Sequence, residues 1–98
     1  MQNTMSKMEA LNKALKILPA TEEDIILRGI ISKITERIAE LKKAEKKLVA
    51  KYGSIEKLEN KIKEEGVPLD DHTLYNNLLE WRAIRYELEE LTFLLESI

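Results

Sequence analysis

Apolar residues recur along this chain in alternating steps of three and four, the spacing of a helical face. The pattern breaks at a few punctuation points and predicts four helices. The first covers about residues 4–18, with Met8, Leu11, Leu15 and Leu18 on one side, and Pro19 ends it. Thr21 then reads as an N-cap, and Glu22, Glu23 and Asp24 suit the positive end of the next helix dipole. The second helix is long, about 22–51. Leu27, Ile31, Ile34, Ile38, Leu41, Glu45, Leu48 and Tyr52 form a coiled-coil seam with one polar interruption, Glu45. That carboxylate either fixes register or lies at a solvated edge. The second is favoured, because burying a lone carboxylate costs several kcal/mol.

Gly53 closes the second helix as a left-handed C′ residue, and Ser54 caps a short third helix over 55–65. Ile55, Leu58 and Ile62 share one side of it. Gly66 ends it, and Val67-Pro68 keeps the chain extended. Asp70 or Asp71 caps a fourth helix, from about 72 to the end. Its main stripe is Leu74, Leu78, Trp81, Ile84, Leu88, Leu91, Leu95 and Ile98, which matches the seam of the second helix in period and length. The third helix lets the two lie antiparallel. The expected fold is all-α: a long antiparallel hairpin with a short connecting helix (21–98) and a short N-terminal helix or arm (1–20), completed by dimerisation into a bundle.

Tyr75, Leu79, Tyr86 and Phe93 fall outside the main stripe of the fourth helix, roughly 160° away on a helical wheel. A helix with two apolar faces is buried on two sides. The second helix has one clear stripe and covers one of them. The first helix, ~22 Å long, covers half of the other at most. An intermolecular contact on Tyr75, Leu79, Tyr86 and Phe93 is therefore favoured, with Trp81 as the hairpin anchor; Tyr and Phe are also types enriched at interfaces. The contact requires that Tyr86 and Phe93 be neither left in solvent nor wholly enclosed by their own chain.

Composition narrows the class. Charged residues make up 35% of the chain against three Gly and two Pro. That is a profile of long helices. Lys and Glu dominate the charges alongside many Ile and Leu, as in proteins of hyperthermophiles. Cysteine is absent, so disulfides and thiolate metal sites are excluded. No apolar run approaches the ~18 residues of a membrane span, and the N-terminus lacks the apolar core of a signal peptide; a cytoplasmic protein without membrane attachment is expected. The net charge of −2 argues against a dedicated nucleic-acid binder. Residues 1–20 are too short for a helix-turn-helix. Residues 1–53 carry eleven Lys/Arg against seven Asp/Glu, and residues 54–98 five against eleven. The halves thus lie side by side or face different partners. The basic run KKAEKKLVAK (42–51) reads first as a solvated face or one paired internally with Glu56, Glu59, Asp70 and Asp71. An acidic protein partner comes second and nucleic acid last, since no aromatics interleave with the lysines.

Catalytic chemistry finds little support. The nucleotide-binding glycine motifs and the H-E-x-x-H zinc motif are missing, and His72 is the sole histidine. It reads as a cap or first-turn residue. Ser32 and Ser97 have no base nearby in sequence. The pairs Glu56/Glu59 and Glu87/Glu90 have the spacing of helical magnesium ligands, but a Glu-rich chain produces such pairs by chance. Neither a catalytic residue nor a cofactor nor a metal is expected, and the protein is read as no enzyme.

The stretch 51–81, KYGSIEKLENKIKEEGVPLDDHTLYNNLLEW, resembles a pattern in a loose family of small prokaryotic helical proteins. Many of these are antitoxin components of two-gene toxin–antitoxin pairs, including the TumE/TumA type. The likeness rests on Tyr52, Gly53, Leu58, Ile62, Gly66, Asp71, Glu80 and Trp81 and covers about a third of the chain. It implies a protein that binds and neutralises a toxin partner. The alternative is a structural homo-oligomeric bundle, and a metal-dependent nucleotide hydrolase on Glu87 and Glu90 is a remote third.

Overall fold

The computed structural model describes residues 5–98. All regular structure among them is helical: α1 (Lys7–Ile17), α2 (Glu22–Tyr52), α3 (Ile55–Glu65) and α4 (Thr73–Ser97). The all-α expectation holds, and each helix begins and ends within about three residues of its predicted limits; residue 4, the expected start of the first, lies outside the described residues. The chain forms two compact units, residues 1–33 and 34–98, with α2 contributing to both.

Local chemistry explains the boundaries. Ser6 precedes α1, and its hydroxyl accepts the Glu9 N–H at 3.1 Å. The Leu18 N–H closes α1 on the Ala14 carbonyl at 2.9 Å, just before Pro19. Thr21 caps α2 by accepting the Asp24 N–H at 3.0 Å. Ser54 does the same for α3 through the Lys57 N–H at 3.1 Å. These caps satisfy amide donors that a helix start leaves without partners. Gly53 stands between α2 and α3 at φ 89°. That conformation costs glycine little and other residues much. At α4 the structure chooses between the two candidate caps. Asp71, not Asp70, accepts the Thr73 N–H at 3.0 Å and also the Thr73 hydroxyl. His72 occupies the residue before the helix and makes no side-chain cap bond. The bonds from Thr73 hold the Asp71 carboxyl below its usual range.

In the first unit α1 has no fully buried residue. Of its expected stripe, Leu15 is half-buried, whereas Met8, Leu11 and Leu18 are exposed. The second unit holds the core: Leu41 and Leu48 of α2, Ile55 and Leu58 of α3, and Leu78, Trp81 and Ile84 of α4. Three cross-links show that α2 and α4 run antiparallel, as expected. Arg37 meets Glu87, Glu45 meets Trp81, and Tyr52 meets Asn77, so positions fall on α2 as they rise on α4. The third helix is more than a connector. Leu58 is completely buried, and α3 lies in close backbone contact with α4.

That distribution has a simple geometric cause. The third helix has eleven residues. At the rise of an α-helix they reach only ~16 Å. Where α3 is present, three helices enclose the core and Trp81 is 1% exposed. Beyond Ile84, α4 keeps its stripe, but Leu88, Leu91 and Leu95 are only half-buried. Two helices side by side cannot enclose a seam that three enclose.

Candidate protein-binding face

The outer side of α4 carries the four residues singled out by spacing. Tyr75 and Leu79 are each 43% exposed, Tyr86 65% and Phe93 69%. All four lie on the side of α4 away from Trp81, which anchors the hairpin as expected. Their own chain therefore does not enclose Tyr86 and Phe93, but on the single chain it leaves both largely in solvent, so the requirement for the contact is met in one half and not in the other. Exposure on a single chain is shared by a free surface and by an interface awaiting its partner. Tyr86 and Phe93 border a shallow open groove that Glu89, Glu90 and Leu94 complete. The Glu90 carboxylate one turn along pushes the Tyr86 phenol above its usual range. The Ser97 hydroxyl donates to the Phe93 carbonyl at 2.7 Å. This is a local bond within the last turn and not a nucleophile's arrangement.

Two features escaped the periodicity. Leu94 is half-exposed beside Phe93 and lies outside both the inner stripe and the Tyr75, Leu79, Tyr86 and Phe93 row. In the first unit, Ile26, Leu27 and Ile30 are also exposed and line an open apolar groove with Thr21, Glu22 and Glu23. The signal for that patch was the run Ile25-Ile26-Leu27-Arg28-Gly29-Ile30-Ile31, which has more apolar residues than one seam can use. A seam-only reading assigns Leu27 and Ile31 and overlooks Ile26 and Ile30.

The charged sites resolve differently from expectation. Glu45 is no solvated edge residue. Its carboxylate accepts the Trp81 indole N–H at 3.1 Å and sits 3.6 Å from the Arg85 guanidinium, with its side chain 27% exposed. The cost of placing a carboxylate in the seam is offset by these two donors. Glu87 receives Arg37 through two parallel bonds of 2.6 and 3.0 Å. The guanidinium holds the Glu87 carboxyl below its usual range and is itself pushed up. Glu87 and Glu90 thus face different partners rather than one cation. Among the described residues, no group of three or more His, Asp or Glu is gathered as a metal site. Among the described residues, too, no ion pair joins the basic run to Glu56, Glu59, Asp70 or Asp71. Lys42, Lys43, Lys46 and Lys47 are exposed. The Lys51 ammonium lies 5.4 Å from the centre of the Tyr52 ring. That is within reach of a cation–π attraction. None of the described helices is long and apolar enough to cross a membrane.

No curated protein and no solved structure matches the chain. A family model does match, over residues 1–98, and the chain therefore belongs to the Uncharacterized protein MJ0235 family.

Proposed function

We propose that the protein is a small helical protein-binding module that works through the outer face of α4. Its part is that of the antitoxin-like member of a pair, occupying a toxin partner by non-covalent contact in the cytoplasm and catalysing no reaction. The observation that carries this reading is the exposure of Tyr86 and Phe93, at 65% and 69%, on a helix whose opposite side already holds the core. Large aromatic residues in a row on a rigid helix are the usual anchors of helix-in-groove and helix-on-helix recognition. The likeness of residues 51–81 to antitoxin-like proteins supports the same role.

Co-purification with the product of the adjacent gene tests the proposal. A defined complex that Phe93→Ser and Tyr86→Ser each weaken by tenfold or more (roughly the cost of losing an interface anchor), with unchanged helix content, supports it. A complex indifferent to both substitutions overturns the α4 face as its contact surface.

A homo-oligomeric bundle is the second reading, favoured by the half-buried state of Leu88, Leu91 and Leu95 on the inner stripe. The hydrolase reading is weaker, since a cation at Glu87 would have to displace the Arg37 guanidinium from both carboxylate oxygens.

A further inference from the structure

The outer face of α4 contains more than its four apolar residues. Tyr75, Leu79, Arg82, Tyr86, Glu89 and Phe93 follow one another in steps of four, three, four, three and four. They form a second heptad seam on the same helix, with Arg82 and Glu89 one heptad apart on its same flank. Both charged residues are exposed. Arg82 is also the one arginine without an ion pair among the described residues: Arg28 is held by Asp24, Arg37 by Glu40 and Glu87, and Arg85 by Glu45.

Resting on the reading of this face as the contact surface, we propose that in the absence of the partner protein it is occupied by a second copy of the chain, paired antiparallel about a two-fold axis near Tyr86. The sequence of the seam is complementary to its own reverse. With Tyr86 on the axis, Leu79 lies opposite Phe93 of the other copy, each seven residues or ~10.5 Å from the centre. Arg82 lies opposite Glu89, and the symmetry repeats both contacts. A two-fold axis across antiparallel helices brings like flanks together, so the flank that holds Arg82 meets the flank that holds Glu89. A parallel pair in register does the opposite: it sets Arg82 against Arg82 and Glu89 against Glu89, and like charges facing each other across an interface are strongly disfavoured. Charge pattern thus selects the antiparallel arrangement and fixes its register, while the apolar and aromatic residues supply the contact area.

The test is sedimentation equilibrium of the full chain with charge-reversed variants. Arg82→Glu and Glu89→Arg alone each place like charges opposite one another and are expected to raise the dimer dissociation constant roughly tenfold or more. The combination Arg82→Glu with Glu89→Arg restores both pairs and returns it to within about threefold of the parent. Thermal melting controls for folding, which exposed substitutions of this kind leave nearly unchanged. Because the chain has no cysteine, thiol crosslinking gives a second readout. Antiparallel pairing crosslinks Ala83→Cys only with Glu90→Cys, in a mixture of the two variants; either variant crosslinking with itself overturns the antiparallel register. A double variant as weak as the singles overturns the register as well. A dimer that survives Tyr86→Asp and Phe93→Asp pairs through another surface and overturns self-pairing on this face; the proposed function is overturned separately, by a complex with the adjacent gene's product that is indifferent to Tyr86→Ser and Phe93→Ser. A chain that stays monomeric at millimolar concentration, yet loses its complex with the adjacent gene's product on Phe93→Ser, overturns self-pairing and leaves the binding-module reading standing.

Discussion

The Trp81 indole donates its N–H to the Glu45 carboxylate at 3.1 Å, across the seam between α4 and α2. Trp81 is 1% exposed, and the Glu45 carboxylate is the acceptor its indole N–H reaches. The one polar residue of the α2 seam therefore serves the largest side chain of the core. Glu45→Ala is expected to lower stability by ~1–3 kcal/mol, the cost of stranding a buried donor. In a Trp81→Phe background, where the indole donor is gone and Arg85 alone faces the carboxylate, the same substitution costs less. Chemical denaturation of the four proteins of this double-mutant cycle measures the coupling, and equal costs in the two backgrounds would remove Glu45 from its role.

Leu58 of α3 is the most buried aliphatic residue among those described. Its truncation to alanine is expected to cost ~2–5 kcal/mol, the range for a large-to-small change in a closed core. Phe93→Ser, on the outer face, is expected to shift the intrinsic stability of the fold by no more than ~0.5 kcal/mol. Urea titration at protein concentrations too low for association separates these two, and the contrast distinguishes a core residue from a docking residue.

The three glycines give a graded series. Gly66 has φ 73° with a fully extended ψ. That region is reserved almost wholly for glycine, and Gly66→Ala is expected to cost ~1–3 kcal/mol. Gly53→Ala carries a similar backbone penalty at φ 89°, and its new Cβ meets the Lys57 Cδ at 3.0 Å, a contact the flexible lysine can relieve. Gly29 is helical with open space around the added carbon. Gly29→Ala is therefore expected to stabilise by ~0.5–1 kcal/mol. Thermal melting of the three variants reads the order directly. A destabilising Gly29→Ala would mean that the first unit packs more tightly around α2 than the single chain shows.

Two carboxyls tie stability to acid. Glu87 is held below its ordinary value of 4.5 by Arg37, and Asp71 below 3.8 by Thr73. A depressed folded-state value means that the unfolded chain binds protons more readily. The contribution is thus complete above the ordinary carboxyl values and is lost as pH falls through the depressed ones. The melting temperature is expected to fall with decreasing pH from about pH 4.5 downward. Glu87→Gln and Asp71→Asn each flatten that decline. At molar salt the Glu87 effect shrinks more than the Asp71 effect, since the first depends on a partly exposed ion pair and the second on local hydrogen bonds.

The helices and their ends are legible in local residue order. Ser54 and Gly66 bracket α3 at Ile55–Glu65, and the periodic stripe from Leu74 to Leu95 identified the inner face of α4. Caps, glycine turns and helical periods are local: each is decided within a few residues, so each is written in the chain. Which distant residues meet depends on how the helices pack. Arg37 and Glu87 are fifty positions apart, and only the register of α2 against α4, set by how Leu41, Leu48, Trp81 and Ile84 pack, brings them together. The same register turned Glu45 from a flaw in a seam into the acceptor for Trp81. The short reach of α3 decided that the inner stripe closes at Ile84 and stays half open beyond it, because enclosure depends on how many helices surround a position and not on that position's own hydrophobicity.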